Sequence, residues 1–181
     1  MTKTANKKYS TPEWLARAMQ GVTYWVGHRR SLYHHYPLGE SALIAEFCNL
    51  LFANIGKSER LVCEVPHSSI LKIKPKMVVT DRTRADLVIF GGHLPESPPS
   101  HVFEIKRASA PAAQIKKDLL RLLEVKRQLP EVSAFLVVIS EANRLDAYVD
   151  EDGKSRLGRR AIPGADGTYR VRLTKKAAHA Y

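Results

Sequence analysis

The sequence predicts an α/β fold: a mixed central β-sheet flanked by helices, in the order helix, strand, strand, strand, helix, strand. Three observations predict it. Residues 40–54 and 111–128 carry apolar side chains at helical spacing. Residues 61–65, 86–90 and 101–107 are short β-forming runs punctuated by glycine and proline. Residues 101–140 read strand, helix, strand, which implies a parallel crossover, right-handed by default.

The 181 residues, 44% of them hydrophobic, suffice for one domain with a proper core. The formal charge of +11 favours a polyanionic partner, nucleic acid or an anionic membrane surface. No apolar run approaches the roughly 20 residues of a membrane span. Met1–Tyr9 has basic residues with no apolar stretch behind them, so no secretory signal is read and a cytoplasmic location is expected. Cys48 and Cys63 each lie in an apolar run. Two buried thiols are expected there, not a disulfide or a zinc site. Neither a phosphate-binding P-loop nor zinc-ligand spacing is present in the sequence.

Taken in order, residues 1–10 are polar and basic. Thr11-Pro12-Glu13 reads as a helix start, with a capping hydroxyl, a proline and a first-turn acid. Trp14, Leu15, Ala18, Met19, Val22 and Trp25 or Val26 follow at helical spacing, and Gly21 weakens the helix. His28, Arg29, Arg30, Tyr33, His34, His35 and Tyr36 interleave basic and aromatic groups. Such a stretch can hold phosphates and stack on bases, or it is an amphipathic helix running into a solvated basic turn; the residues leave both open. His34 and His35 are neighbours that share no face, which discounts a metal pair.

Pro37-Leu38-Gly39 breaks the chain before the helix 40–54, whose apolar face is Leu43, Ile44, Phe47, Leu50 and Leu51. At roughly 100° per residue, Glu40 falls in the middle of that face and Glu46 near its edge. Glu40 is either a site residue or a first-turn acid that complements the helix dipole. Gly56 ends the helix. Leu61–Val65 is the first strand, closed by Pro66. A basic segment follows; Ile70–Ile73 alternates with Lys72 and Lys74 on one face, and Pro75 marks an edge or loop. Asp81 reads as a turn residue, five positions before Asp86 and so on the opposite face of any continuous strand.

Residues 86–90 form the second strand and 101–107 the third, separated by the Gly/Pro-rich loop 91–100. Pro111 opens the helix that runs to Gln128, with Ile115, Leu119, Leu122 and Leu123 as its buried stripe and Lys116, Lys117, Arg121, Lys126 and Arg127 as its basic complement. Ser133–Ser140 is continuously apolar and reads as a strand buried on both faces. Residues 144–148 read as helical and 151–167 as turn-rich. Thr168–Leu173 alternates, with Arg170 and Arg172 on one face.

Three charges fall where buried strands normally carry none. Asp86 opens the second strand, and Glu104 and Lys106 share a face of the third. An unpaired buried charge costs several kcal/mol, so such groups are normally paired or hold a metal. An acid on one strand, with an acid and a lysine on its neighbour, fits a divalent-cation site with a cationic helper.

At these residues the chain resembles the PD-(D/E)xK nuclease superfamily, with its restriction-endonuclease-like fold. Asp86 matches the aspartate of the motif and Glu104-Ile105-Lys106 its E-x-K, while Ala85 stands where the superfamily's name has proline. The resemblance covers roughly residues 38–140. It implies a metal-dependent nuclease using Mg²⁺, or Mn²⁺ in its place. The ion would be held by Asp86, Glu104, the carbonyl of Ile105 and Glu40, the last because G-E-S-A-L-I resembles the helix segment that carries a glutamate in many members. Lys106 would orient the attacking water. Arg29, Arg30, Arg107, Lys116, Arg170 and Arg172 are the expected phosphate contacts. DNA is the expected substrate, cut by an endonuclease, and a homodimer would cut both strands. The domain would comprise a basic, aromatic extension (1–38), a catalytic core (39–145) and a basic C-terminal extension (146–181). The alternatives are a nucleic-acid-binding module on the same fold without catalysis, an RNA-directed nuclease, and a basic interaction protein in which Glu104 and Lys106 are only an ion-paired patch.

Overall fold

Side-chain alternation in two strands sets the layers. Along β3 (Pro99–Arg107), Phe103 and Ile105 enter one core and Val102 the other. Along β2 (Arg84–Phe90), Leu87 and Ile89 join the first core and Val88 the second. A sheet that is apolar on both faces must be covered on both. In the computed structural model, which describes residues 11–33, 35–71, 83–141, 147–152, 154, 156 and 158–174, helices supply the cover.

Among the described residues the sheet has four strands in the order β1-β2-β3-β4, where β1 is Arg60–Pro66 and β4 is Ser133–Ile139. The β1/β2 and β2/β3 pairs are antiparallel, and β3/β4 is parallel, joined through helix α4 (Ala112–Gln128). On one face, α1 (Glu13–Leu32) and α2 (Glu40–Phe52) send Leu15, Val22, Leu43 and Phe47 into the core around Phe103. On the other, α4 sends Leu122 and Val125 against Val88 and Val102, with Ile70 of the one-turn helix α3 (His67–Ile70) beside them. The expected α/β architecture with a mixed, helix-flanked sheet is therefore present.

Several elements differ from expectation. The first helix begins after Pro12, and no side-chain hydroxyl caps it. It continues to Leu32, so His28, Arg29 and Arg30 are helical. Gly21 is a contact point: a Cβ there would lie 2.8 Å from Leu50 Cδ2, and the glycine lets α1 and α2 approach. Ile70 belongs to α3, not to an alternating strand; Lys72, Lys74, Pro75 and Asp81 lie outside the described residues, as does His34. The apolar run in β4 meets both cores but is less buried than expected: among the described residues β4 is an edge strand, with Val137 and Ile139 buried on one face and Ala134 and Leu136 half-buried on the other. Of 144–148, only Ala147 and Tyr148 are described, and they form a turn.

The stretch read as turn-rich contains β5 (Arg159–Ala161), which pairs antiparallel with β6 (Thr168–Arg170). This hairpin rests on α4, where Arg127 donates to the Asp166 carbonyl at 2.9 Å. The cysteines also depart from expectation: Cys48 is half-buried, Cys63 is exposed, and their sulfurs lie 3.4 Å apart. Among the described residues no helix is long and apolar enough to cross a membrane.

Candidate active site

The β2/β3 ladder begins at Phe90 and ends at Leu87↔Phe103. Past that point β2 pairs only with β1, through Ala85↔Val65 and Arg84↔Pro66, while β3 pairs only with β4, from Glu104↔Leu136 to Arg107↔Ile139. The two central strands part. A backbone N–H left open in such a gap must find another acceptor. Asp86 provides it: its Oδ2 accepts the Ile105 N–H at 2.6 Å. The aspartate is thereby wedged between the strands beside Glu104.

Glu104 is 1% exposed. Its Oε1 lies 3.4 Å from Nε2 of His67, which is wholly buried at the start of α3. The next residue on the same face, Lys106, donates from Nζ to Glu40 Oε1 at 2.7 Å, across from the first turn of α2. On the other side Lys106 Nζ is 3.9 Å from Oδ2 of Asp118, a buried residue of α4 that also takes a hydrogen bond from Arg121. Glu40 and Asp118 thus pair with one lysine and the charge of Asp86 also reaches it, in a chain that is strongly basic overall.

Burial pushes the Asp86 carboxyl up to about 7; the Ile105 N–H opposes the shift, and the negative charge of Glu104 adds to it. Burial likewise lifts Asp118 to about 6, aided by Glu104 and resisted by Lys106 and Arg121. For Lys106, burial works toward a lower value, but the hydrogen bond to Glu40 and the charges of Asp86 and Asp118 outweigh it, and the net shift is upward. Lys106 is therefore held as a cation at neutral pH.

Glu104 Oε1, Asp118 Oδ2 and both ring nitrogens of His67 are buried without a hydrogen-bond partner. Buried polar atoms are normally satisfied, whereas these two carboxylate oxygens have only the long contacts to His67 and Lys106, and hard oxygens of this kind suit a divalent cation. Among the described residues, no three His, Cys, Asp or Glu side chains form a ready-made metal cage. Mg²⁺ does not require one, since it commonly takes one or two carboxylates and completes its shell with water and substrate phosphate.

Of the residues singled out in the sequence, Glu40, Asp86, Ile105, Lys106 and Glu104 come together here. Glu46 is half-buried on α2. Arg107 is engaged elsewhere, its Nη2 lying 3.3 Å from Oε1 of Glu141. Both oxygens of Glu141 also accept the Leu38 N–H at 3.1 Å, tying the segment before α2 to the end of β3. Arg29 lies over the Tyr33 ring, 4.3 Å from its centroid. Arg30 is in the last turn of α1, and Lys116, Arg170 and Arg172 are exposed at α4 and at and after β6. Sequence reasoning missed Asp118 and His67. Asp118 had a signal: it stands three residues after Ile115 and four before Leu122, on the apolar stripe. His67 had none. No protein-family profile, curated protein or solved structure matches the chain.

Proposed function

We propose that this chain is a metal-dependent nuclease of the PD-(D/E)xK type, on a restriction-endonuclease-like core, hydrolysing phosphodiester bonds of DNA. The observation that carries this reading is the meeting of Glu40, Asp86, Glu104 and Lys106 where β2 and β3 part, with an Asp86 oxygen held by the Ile105 N–H. The helix–strand–strand–strand–helix–strand order and the parallel β3/β4 pair agree with it.

Asp86 and Glu104 would hold Mg²⁺ or Mn²⁺, with the Ile105 carbonyl and Glu40 as further donors, and the bound ion supplies Lewis acidity toward water and phosphate. Lys106 orients the attacking water and stabilises the negative charge that builds on phosphorus. Glu40 holds Lys106 in position through its hydrogen bond. Asp118 adds a fourth carboxylate, whose charge draws cations toward the site. The basic surplus, with Arg29, Arg30, Lys116, Arg170 and Arg172 as candidate contacts, grips the phosphate backbone without reading sequence. Cutting both strands of a duplex requires two such sites, which a homodimer supplies.

A second reading is a nucleic-acid-binding module without catalysis. It is favoured by the ion pair that already occupies Lys106 and by the lack of a three-ligand cage among the described residues. Calorimetric titration with Mg²⁺ and Mn²⁺, followed by cleavage assays on duplex, single-stranded, branched and RNA substrates, separates the two. Metal binding with cleavage of DNA is expected. Tight, salt-sensitive DNA binding with no metal uptake and no cleavage would sink the nuclease reading in favour of the binding module.

A further inference from the structure

Cys48 comes from the second half of α2 and Cys63 from the middle of β1, yet their Sγ atoms are 3.4 Å apart. They lie on a shallow groove with Ser41, Ile44, Asn49 and Glu64. Cys63 is exposed, so a small oxidant reaches it from solvent; Cys48 is half-buried beside it. Two thiols from separate elements in mutual contact at an accessible surface are the starting geometry for a disulfide.

We propose that Cys48 and Cys63 are an oxidation site that closes into a reversible disulfide, with a low-molecular-weight disulfide such as oxidised glutathione as the oxidant. The Cys63 thiolate attacks one sulfur of the oxidant, forming a mixed disulfide and releasing one glutathione thiolate. Cys48 then gives up its proton and attacks the Cys63 sulfur, releasing the second. Two protein thiols become one disulfide, and one glutathione disulfide becomes two glutathione thiols, so two electrons and two protons are accounted for.

A disulfide bond is about 2.05 Å long, so the sulfurs need close by only ~1.3 Å. β1, an edge strand among the described residues, is the element that can yield that much, moving against α2, which Leu43, Phe47 and Leu51 anchor in the core. The cross-link bears on the carboxylate cluster from two directions. It pins α2, the helix that presents Glu40, and it pins β1 at the residue before Glu64. Glu64 is a non-glycine residue in the left-handed region, at φ 54°, and its charge reaches Asp86. The proposal stands without the nuclease reading, because it rests on the thiol pair alone.

The test is to incubate the reduced full-length chain with oxidised glutathione, quench with an alkylating agent, and weigh and map it without reduction. The wild type is expected to lose two hydrogen masses, take up no alkylating agent and yield a cross-linked peptide joining Cys48 to Cys63, all reversed by dithiothreitol. Cys48→Ser is expected to stop at a glutathione adduct on Cys63. Cys63→Ser is expected to react at least several-fold more slowly. A wild type that stays reduced, that stops at a stable glutathione adduct, or that links only between two chains overturns the proposal. A Cys63→Ser variant that reacts at Cys48 as fast as the wild type reacts overturns the order of attack.

Discussion

An ionised carboxylate is the ordinary state of an aspartate at neutral pH, and Asp86 is held away from it, with its pKa up to about 7. The consequence for stability has a definite sign. In the unfolded chain the group titrates near 3.8, so between that value and 7 the folded state binds the extra proton. In chelator-containing buffer, stability is thus lost as pH rises through this window. Asp86→Asn keeps an oxygen for the Ile105 N–H and carries no charge. It is expected to raise Tm at pH 8 by on the order of 2 °C or more, with a smaller gain at pH 5. Equal gains at the two pH values, by calorimetry, would contradict the buried-charge account. The same substitution should abolish Mn²⁺ binding. Lys106→Ala, by contrast, should retain the ion and lose turnover by roughly 10²-fold or more, because it removes charge stabilisation and not a ligand. Glu40→Ala should be milder, partly restored by added metal, and Glu46→Ala should cleave nearly normally. A severe loss in Glu46→Ala with none in Glu40→Ala would reassign the helix glutamate. At this scale much was legible: an acid on an apolar helical stripe pointed to Glu40, and the same rule applied to residues 111–128 would have found Asp118. His67 was not legible, because a histidine after Pro66 is unremarkable until α3 turns it under the sheet.

The elements were legible where periodicity was strong and less so where tertiary pairing decides. The lengths of α2, α4 and β1–β4 follow from apolar spacing and proline punctuation. The edge position of β4 does not, since a continuous apolar run is written alike by a central strand and by an edge strand covered unevenly. The parting of β2 from β3 is likewise invisible in sequence, because both strands remain β-forming on either side of the gap. The packing of α1 on the sheet yields a prediction at this level. His101 sits between Trp14, with ring centroids 4.9 Å apart, and Phe135, at 6.2 Å. Burial lowers its pKa, with Glu59 working against the shift. A folded value below the unfolded 6.5 means the contribution is complete above pH 6.5 and is lost as pH falls through the lowered value. His101→Phe should therefore gain stability relative to wild type as pH drops from 7 to 5, measured by parallel denaturant titrations. A difference that does not change with pH would show that the ring's protonation is not coupled to folding.

At the scale of the whole molecule, 29 Lys and Arg residues against 18 Asp and Glu leave a surplus whose placement matters more than its size. The carboxylate cluster concentrates negative charge at the parting of β2 and β3, while cationic side chains lie on both sides of the sheet. Arg29 and Arg30 end α1, which packs with α2 on one face. Arg170 and Arg172 belong to the hairpin strand β6 and the residue run after it, and that hairpin rests on α4 over the other face. Under the proposed function, these arginines are the candidate phosphate contacts from the two layers. Each phosphate contact releases condensed counterions, so the logarithm of affinity falls with the logarithm of salt by about 0.9 per duplex phosphate neutralised. Replacing Arg29 and Arg30 together with alanine, or Arg170 and Arg172 together, should weaken duplex binding and flatten that slope by up to roughly 1.8 units, two contacts' worth. Circular dichroism of each double mutant checks that the fold is retained. Fluorescence anisotropy at several salt concentrations measures the slope directly. A flattening in one double mutant only would assign the backbone grip to that layer, whereas an unchanged slope in both would put the nucleic acid on another surface and detach these arginines from the site.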